Sequence, residues 1–419
     1  MKKVTYIARW FGDWYRIFVK ELKMIFSDEG VLVIFFLGGI IYPLLYNVIY
    51  HDGLVDDMPV AVVDNSAGSY SRRFVSKLEA TRECHVAYDC INMAEAERLM
   101  QQGKVHGIVY FPSDYDEKIV RMEQSALCTY ADMSSFLYYK CLTMGCNFVM
   151  LDELHEIQAE HYAAAGYTGE MAEALIAPLE IDGAMPYNRS FSYTLFFISA
   201  ALLLVIQQTL FYGSSLLAGT LREQNRSFVS MAEGLQGLGV GRVILGRGAA
   251  YFAVYMLIGP IVALLIPWLF HLPQHAAWWE VMVLLVFFVM DCIVFSFTWS
   301  TLITRRETVF VLFLFMSPIC IFLTGFSWPQ TAIPGFWRVF SYLFPSTFGC
   351  RAFINLNTAG GTLSTIAPEM TAMTIQTVVY YFLASAAIFA ENKVLEHKEK
   401  LDAIRSEINR RRGLRPIDA

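Results

Sequence analysis

Charged residues are scarce in this chain: Asp, Glu, Lys and Arg make up 17% of its 419 residues, whereas typical soluble domains carry about 25%. Several catalytic motifs are also missing, including GxxxxGK(S/T), HExxH, GxSxG and a GxGxxG that follows a strand. Without a phosphate-binding loop, the chain must draw its energy from another polypeptide or from an ion gradient. The shortage of charge, beside 56% hydrophobic residues, indicates membrane-spanning segments rather than a large soluble core.

The cysteines form no CxxC pair, and an odd number of them lies outside the apolar runs, which argues against a complete disulfide framework. These outer cysteines are Cys84, Cys90, Cys128, Cys141 and Cys146. In an oxidising compartment Cys84 could pair with Cys90, or Cys141 with Cys146. Buried free thiols are an equal alternative.

Long apolar runs are the dominant feature of the chain. A membrane span needs about 20 mostly apolar residues, and six segments meet that need. They are roughly 31–50, 191–219, 243–270, 279–303, 309–327 and 372–391. About 140 residues of ordinary soluble composition separate the first span from the second. The lead before the first span places aromatic and basic residues at helical spacing over 5–26, which predicts an amphipathic helix at the cytoplasmic headgroups. A buried lead-in to the first span is the alternative.

Lys and Arg are distributed unevenly between the loops. The lead, the loop after the second span, the turn after the fourth span and the tail are basic, whereas 271–278 has no Lys or Arg and 328–371 has only Arg338 and Arg351. Because basic loops stay in the cytoplasm, we predict an α-helical polytopic membrane protein with six transmembrane helices, cytoplasmic termini and an inserted extracytoplasmic α/β domain. The predicted segments are a cytoplasmic amphipathic helix (1–29), transmembrane helix 1 (30–50), a periplasmic α/β domain (51–190), transmembrane helices 2–6 (191–391) and a cytoplasmic tail (392–419).

The predicted outer domain alternates strands with helices. Strands are predicted at 59–64, 85–88, 105–111 and 126–131, and helices at 69–81, 93–102, 113–123 and 134–162. This alternation predicts a small α/β domain with a mixed sheet. The domain contains 22 Asp and Glu against ten Lys and Arg, which disfavours a nucleic-acid partner.

Three polar side chains in mid-span are candidate functional residues. Asp291 is the one clear ionisable residue within a span, and Gln207 and Gln208 lie in the middle of the second span. Charge at that depth costs a few kcal/mol, so Asp291 is either a proton or substrate site or the partner in an interhelical hydrogen bond. One of the glutamines could face a polar pathway or a neighbouring helix.

Two loops have unusual composition. The cytoplasmic loop 220–242 contains LREQNRSF (221–228) and then four glycines, a form that suits a docking surface as well as a solvated loop. The outer stretch 328–370 is too long for a hairpin loop and too polar for two spans, and it is rich in proline and aromatic residues. We predict a re-entrant or interfacial helical hairpin there, which is tolerated at membrane depth only when protein surrounds it.

Four stretches together carry a resemblance to a known family. They are VAVVDNSAGSYSRRFVSKLEA (60–80), AEAERLMQQGKVHGIVYFPSDY (94–115), LREQNRSF (221–228) and LTGFSWPQTAIPGFWRVFSYLFPSTFGCRAF (323–353). In this order the chain resembles the permease subunit of type-2 ATP-binding-cassette exporters, in the branch with a large periplasmic domain after the first span. The chain departs from the family's Arg-Glu-x-Gly-Thr run at 225–227.

The resemblance implies partners and site residues. It implies ATP-binding-cassette ATPase subunits that carry ATP and Mg, no cofactor on this chain, a second permease copy or a paralogue, and contact with membrane lipid. A periplasmic adaptor with an outer-membrane channel is a further implied partner, and the bacterial inner membrane is the implied location.

The implied ATPase-coupling residues are Arg222, Glu223, Gln224, Arg226 and Phe228. The implied pathway residues are Gln207, Gln208, Phe313, Phe315 and Phe322, and Asp291 is a further pathway candidate because of its mid-span position. The residues of the outer hairpin signature are Gly325, Pro329, Pro334 and Pro345.

Two other readings remain open from the sequence. A gradient-driven transporter would use Asp291, although no second charged span or inverted repeat accompanies it. A non-transporting envelope scaffold or receptor would rest on the outer domain and would need no charged coupling loop.

Overall fold

The computed structural model describes residues 2–49, 55–167, 169–177, 193–224 and 239–411. The chain divides into two compact units, one formed by Met1–His51 with Pro186–Ala419 and the other by Asp52–Met185. We call them the helical unit and the small unit. The small unit corresponds to the domain predicted at 51–190, and its ends differ from that prediction by one and five residues.

The helical unit begins with an amphipathic helix, α1 (Lys2–Ser27). The first apolar helix follows as α2 (Glu29–Leu32), a π-helical stretch (Val33–Ile41) and α3 (Tyr42–Ile49). The side chain of Asp28 caps α2 by accepting the Val31 N–H at 3.2 Å. The π-helical stretch ends two residues before Pro43, which has no N–H for the regular helical hydrogen bond.

The small unit is a four-stranded mixed sheet with helices. Its elements are β1 (Met58–Asp64), α4 (Ser69–Glu79), β2 (Cys84–Asp89), α5 (Met93–Gln101), β3 (Gly107–Phe111), α6 (Tyr115–Val120), β4 (Cys128–Ala131), α7 (Phe136–Ala164) and α8 (Glu170–Ile176). The strand order is β2-β1-β3-β4, in which β1 pairs in parallel with both β2 and β3, and β3 pairs antiparallel with β4. The predicted strands and the first four helices are confirmed, with ends that differ by three residues at most.

The turn after β1 is held by two carboxylates. Asp64 accepts hydrogen bonds from the N–H groups of Ser66 and Ala67, and Asp116 accepts from the Ser66 hydroxyl and the Tyr70 N–H. A Cβ atom on Gly68 would lie only 2.0 Å from Asp116. This close approach explains the glycine in the Asp-Asn-Ser-Ala-Gly run.

The cysteines of the small unit form no disulfide in the structure. Cys84, Cys141 and Cys146 share the core on one face of the sheet, whereas Cys90 belongs to the core on the other face. Burial raises the pKa of Cys146 to about 12. These four side chains are therefore buried free thiols, the second of the two alternatives that the sequence left open.

The rest of the helical unit consists of long apolar helices and a group of short ones. They are α9 (Tyr193–Glu223), α10 (Val240–Pro260), α11 (Ile266–Leu269), α12 (Trp278–Ser300), α13 (Thr308–Leu323), α14 (Gly335–Ser341), α15 (Pro345–Phe353) and α16 (Ala367–Arg411). Short π-helical stretches lie at Ile261–Leu265 and Ile354–Thr358, and a 3-10 turn lies at Gln330–Ala332. Helix α9 packs against the first apolar helix, α12, α13 and α15, so it lies at the centre of the unit.

Among the described residues, five helices are long and apolar enough to span a membrane. They are Glu29–Ile49, Phe197–Glu223, Val240–Leu269, Trp278–Ser300 and Ala367–Val394. The predicted fifth span, 309–327, corresponds to α13, which has only 16 residues. Five of the six predicted spans thus meet the length and composition of a span. The remaining one, the predicted fifth span at α13, stays a prediction.

Candidate substrate pathway and coupling region

Arg222, in the last turn of α9, holds three helices together. Its Nε and Nη2 donate to the two carboxylate oxygens of Glu391 in α16, at 2.8 and 3.0 Å. Its Nη1 donates to the carbonyl oxygens of Ser300 and Ile303, at 2.5 and 2.7 Å. Ser300 is the last residue of α12 and Ile303 lies in the turn that follows it, a region where carbonyl oxygens lack the regular helical partner. A forked arginine–carboxylate pair is strong and geometrically specific, so Arg222 fixes the C-terminal ends of α9 and α12 against α16.

Arg306, in the turn between α12 and α13, makes a second set of bonds at the same end of α9. Its guanidinium donates to both carboxylate oxygens of Asp28, at 2.7 and 2.8 Å, and to the Thr220 hydroxyl at 2.9 Å. Its backbone N–H donates to Glu223 Oε1 at 2.8 Å. Because Asp28 caps α2, Arg306 connects the start of the first apolar helix to the end of α9.

Burial acts to raise the pKa of Asp28. The hydrogen bonds from Arg306 and from the Val31 N–H, together with the positive charge of Arg306, outweigh burial, so this pKa lies below its ordinary value. The Arg306 pKa is correspondingly raised, first by its hydrogen bonds to Asp28. The pair is therefore ionised near neutral pH.

The predicted coupling residues have different surroundings. Arg222 is half-buried and bonded within the chain, whereas Glu223 and Gln224 are exposed. Arg226 and Phe228 lie outside the described residues. The sequence did not identify Glu391 as the partner of Arg222 or Arg306 as that of Glu223, because these pairs are 169 and 83 residues apart. It did not identify the Asp28–Arg306 pair either, whose members are 278 residues apart.

The amphipathic helix α1 is fixed to α10 by one buried and one half-buried charge pair and by close packing. Arg247 Nη2 donates to Glu21 Oε1 at 2.7 Å in a fully buried pair, and Arg242 pairs with Asp13 at 3.3 Å. A Cβ atom on Gly246 would lie 2.8 Å from Ile17. The glycine therefore permits the close approach of α1 to α10.

A cavity of about 470 Å³ lies between the first apolar helix, α9 and α13. Its lining is almost entirely apolar and aromatic. The lining residues are Gly38, Tyr42, Pro43, Tyr46, Asn47, Phe197, Ile198, Ala201, Leu202, Leu204, Val205, Gln208, Thr209, Phe313, Ser317, Ile321 and Phe326. A second apolar cavity of about 520 Å³ shares Gly38, Tyr42, Thr209 and Phe313 with it. Together they form a groove along one face of α13.

The structure separates the predicted pathway residues. Gln208 and Phe313 line the 470 Å³ cavity. Gln207 is buried and instead accepts a hydrogen bond from the Ser346 N–H in the first turn of α15. Phe315 and Phe322 are 64% and 62% exposed on α13, and neither lines this cavity.

Asp291 lies apart from the cavity, at the contact between α12 and α16. It is fully buried, and Thr377 of α16 is the polar side chain that faces it. The approach does not reach hydrogen-bond geometry, so both carboxylate oxygens lack a partner among the described residues.

The outer hairpin signature corresponds to turns and helix starts. Gly325 has φ of +89°, a conformation that favours glycine. Pro329 and Pro334 precede the 3-10 turn and α14, and Pro345 is the first residue of α15. Most side chains of α15 are buried against α9, α12 and α16, and the re-entrant or interfacial position of this stretch remains a prediction.

The sequence of residues 30–386 matches the family described as ABC-2 family transporter protein. The chain belongs to this family. It is therefore a membrane transport component of an ATP-binding-cassette transporter, and the family implies partnership with ABC ATPase subunits. No curated protein matches the sequence of the chain. The family and the apolar helices together indicate a multi-pass membrane protein.

Proposed function

We propose that this ABC-2 permease is the membrane-spanning subunit of an exporter. It moves an amphipathic or hydrophobic substrate outward from the cytoplasm or the inner membrane, powered by ATP and Mg on a separate ATPase chain. The proposal places it in the bacterial inner membrane with a large periplasmic domain, beside a second permease copy or a paralogue. A periplasmic adaptor and an outer-membrane channel complete the proposed assembly.

The bonding at the end of α9 is the observation that carries the proposal. Arg222 and Glu223 precede the loop that is expected to meet the ATPase, and their partners belong to α12, α16 and the α12–α13 turn. Arg306 extends these bonds to the start of the first apolar helix. A displacement of this end of α9 would therefore reach two of the elements that line the 470 Å³ cavity, the first apolar helix and α13.

Affinity purification in mild detergent, followed by an ATPase assay, tests the proposal. We expect a stoichiometric ABC ATPase to co-purify and Glu223→Ala to weaken ATP turnover, because it removes the acceptor for the Arg306 N–H. Glu307→Ala is the matched control, since Glu307 is exposed and makes no side-chain bond at its helix start. A pure chain without a nucleotide-binding partner would refute the proposal.

A gradient-driven transporter is the second candidate, because Asp291 is a fully buried acid in mid-span. It requires protonation and deprotonation of Asp291 during transport and makes ATPase subunits irrelevant. The absence of this residue from the lining of the 470 Å³ cavity favours the ATP-driven reading.

A further inference from the structure

The 470 Å³ cavity contains a buried amide that lacks a partner. Asn47 of α3 lines the cavity and is only 1% exposed. Its Nδ2 donates to the Pro43 carbonyl oxygen at 2.7 Å, but its Oδ1 has no hydrogen-bond partner among the described residues. An unsatisfied buried acceptor costs free energy that a donor entering the cavity would recover.

The remaining lining defines what kind of donor suits the cavity. Among the described residues that line it, none is Asp, Glu, Lys, Arg or His, so a charged ligand would lose its hydration without an ionic partner from them. Aromatic side chains form much of the wall, and Gln208 and Ser317 add polar groups from α9 and α13. The volume is in the range of sites that hold drug-sized molecules, which are mostly apolar with a few placed polar groups.

We propose that this cavity binds an uncharged amphipathic molecule, with an N–H or O–H of the ligand donating to Asn47 Oδ1 and its apolar body against the aromatic wall. The inference deepens the proposed function and rests on it for the step from binding to transport. It makes Asn47, on the first apolar helix, a specificity-determining residue beside the predicted pathway residue Gln208.

A pair of fluorescent probes that carry either a hydrogen or a methyl group on one nitrogen tests this assignment. The first is N-decyl dansylamide, whose sulfonamide N–H is a donor, and the second is its N-methyl derivative, which has none. We expect the purified permease in detergent to bind the first about five-fold more tightly, as one ordinary hydrogen bond provides. Saturable fluorescence enhancement, corrected with protein-free micelles, measures both affinities.

Variants distinguish the contribution of the Asn47 amide to binding from that of the cavity as a whole. Asn47→Leu should abolish the preference for the N–H probe, whereas Asn357→Leu should retain it. Asn357 is a matched control because it too is buried with an unpartnered Oδ1, but it does not line the cavity. Ala201→Phe, which fills the cavity, should abolish the saturable binding of both probes.

Three outcomes would overturn the inference. They are equal affinity of the two probes for the wild-type chain, a preference that survives Asn47→Leu, and tighter binding of the trimethylammonium analogue of the probe. The first and third need no variant, so they stand even if Asn47→Leu fails to fold. The assay needs no ATPase, so a failure here is distinguishable from the absence of an ATPase partner.

Discussion

At the scale of single residues, the Asp28–Arg306 pair carries a prediction on pH. Because the folded-state pKa of Asp28 is lowered, the stability that this carboxylate contributes is present above its unfolded pKa of about 3.9 and is lost as the pH falls through the folded value. We expect Asp28→Asn to lower the free energy of unfolding by about 1–2 kcal/mol at neutral pH. Thermal unfolding in detergent at pH 7 and near pH 3 measures this difference.

The difference in melting temperature between wild type and Asp28→Asn should shrink toward zero at the acidic pH. Glu29→Gln is the control, since the neighbouring Glu29 is exposed, and it should leave both values nearly unchanged. An unchanged difference at the two pH values would contradict the prediction.

Asp291 carries the second prediction at this scale. A buried ionised carboxylate without a partner is costly, so the neutral amide of Asp291→Asn should fit the same space without loss of stability. In the ATP-driven reading, the variant keeps ATP turnover within about two-fold of wild type. Turnover of the co-purified complex is the measurement, and its loss in a variant that still folds and binds the ATPase would support a direct role of the acid.

At the scale of elements, the contact between α1 and α10 depends on a residue without a side chain. Gly246→Ala would bring a Cβ within 2.8 Å of Ile17 and 3.4 Å of the Trp14 carbonyl oxygen, and such overpacking costs about 1–3 kcal/mol. We therefore expect a lower melting temperature. Gly12→Ala in α1 is the matched control, because a Cβ there meets nothing within 4 Å, and alanine in a helix should be neutral or stabilising.

The elements of the small unit were predictable because each leaves a local pattern. The β1 strand reads as a continuous apolar run, and Asn92 and Ser135 cap α5 and α7 with their side chains. The site residues left no such pattern. Asn47 lies in the last part of an apolar helix whose neighbours become known only in three dimensions. Gln207 and Gln208 are adjacent in sequence, but one contacts α15 and the other lines the cavity.

At the scale of the whole molecule, the number of spans decides on which side the chain ends. With six spans both termini lie in the cytoplasm, whereas without α13 as a span the C-terminus would lie outside. We expect a green fluorescent protein fused after residue 419 to be fluorescent and alkaline phosphatase fused there to be inactive. A phosphatase fused within the small unit should be active, and the reverse pattern at the C-terminus would refute six spans.

The length of α13 has a consequence for the surrounding lipid. Sixteen helical residues rise about 24 Å, several ångströms less than the hydrocarbon thickness of about 30 Å. As a sixth span, this helix would draw the two leaflets closer together beside it, at a modest elastic cost for each ångström of mismatch. The groove that runs along α13 would then open onto the thinnest part of the bilayer, where an amphipathic molecule has the shortest distance to travel from one leaflet to the other.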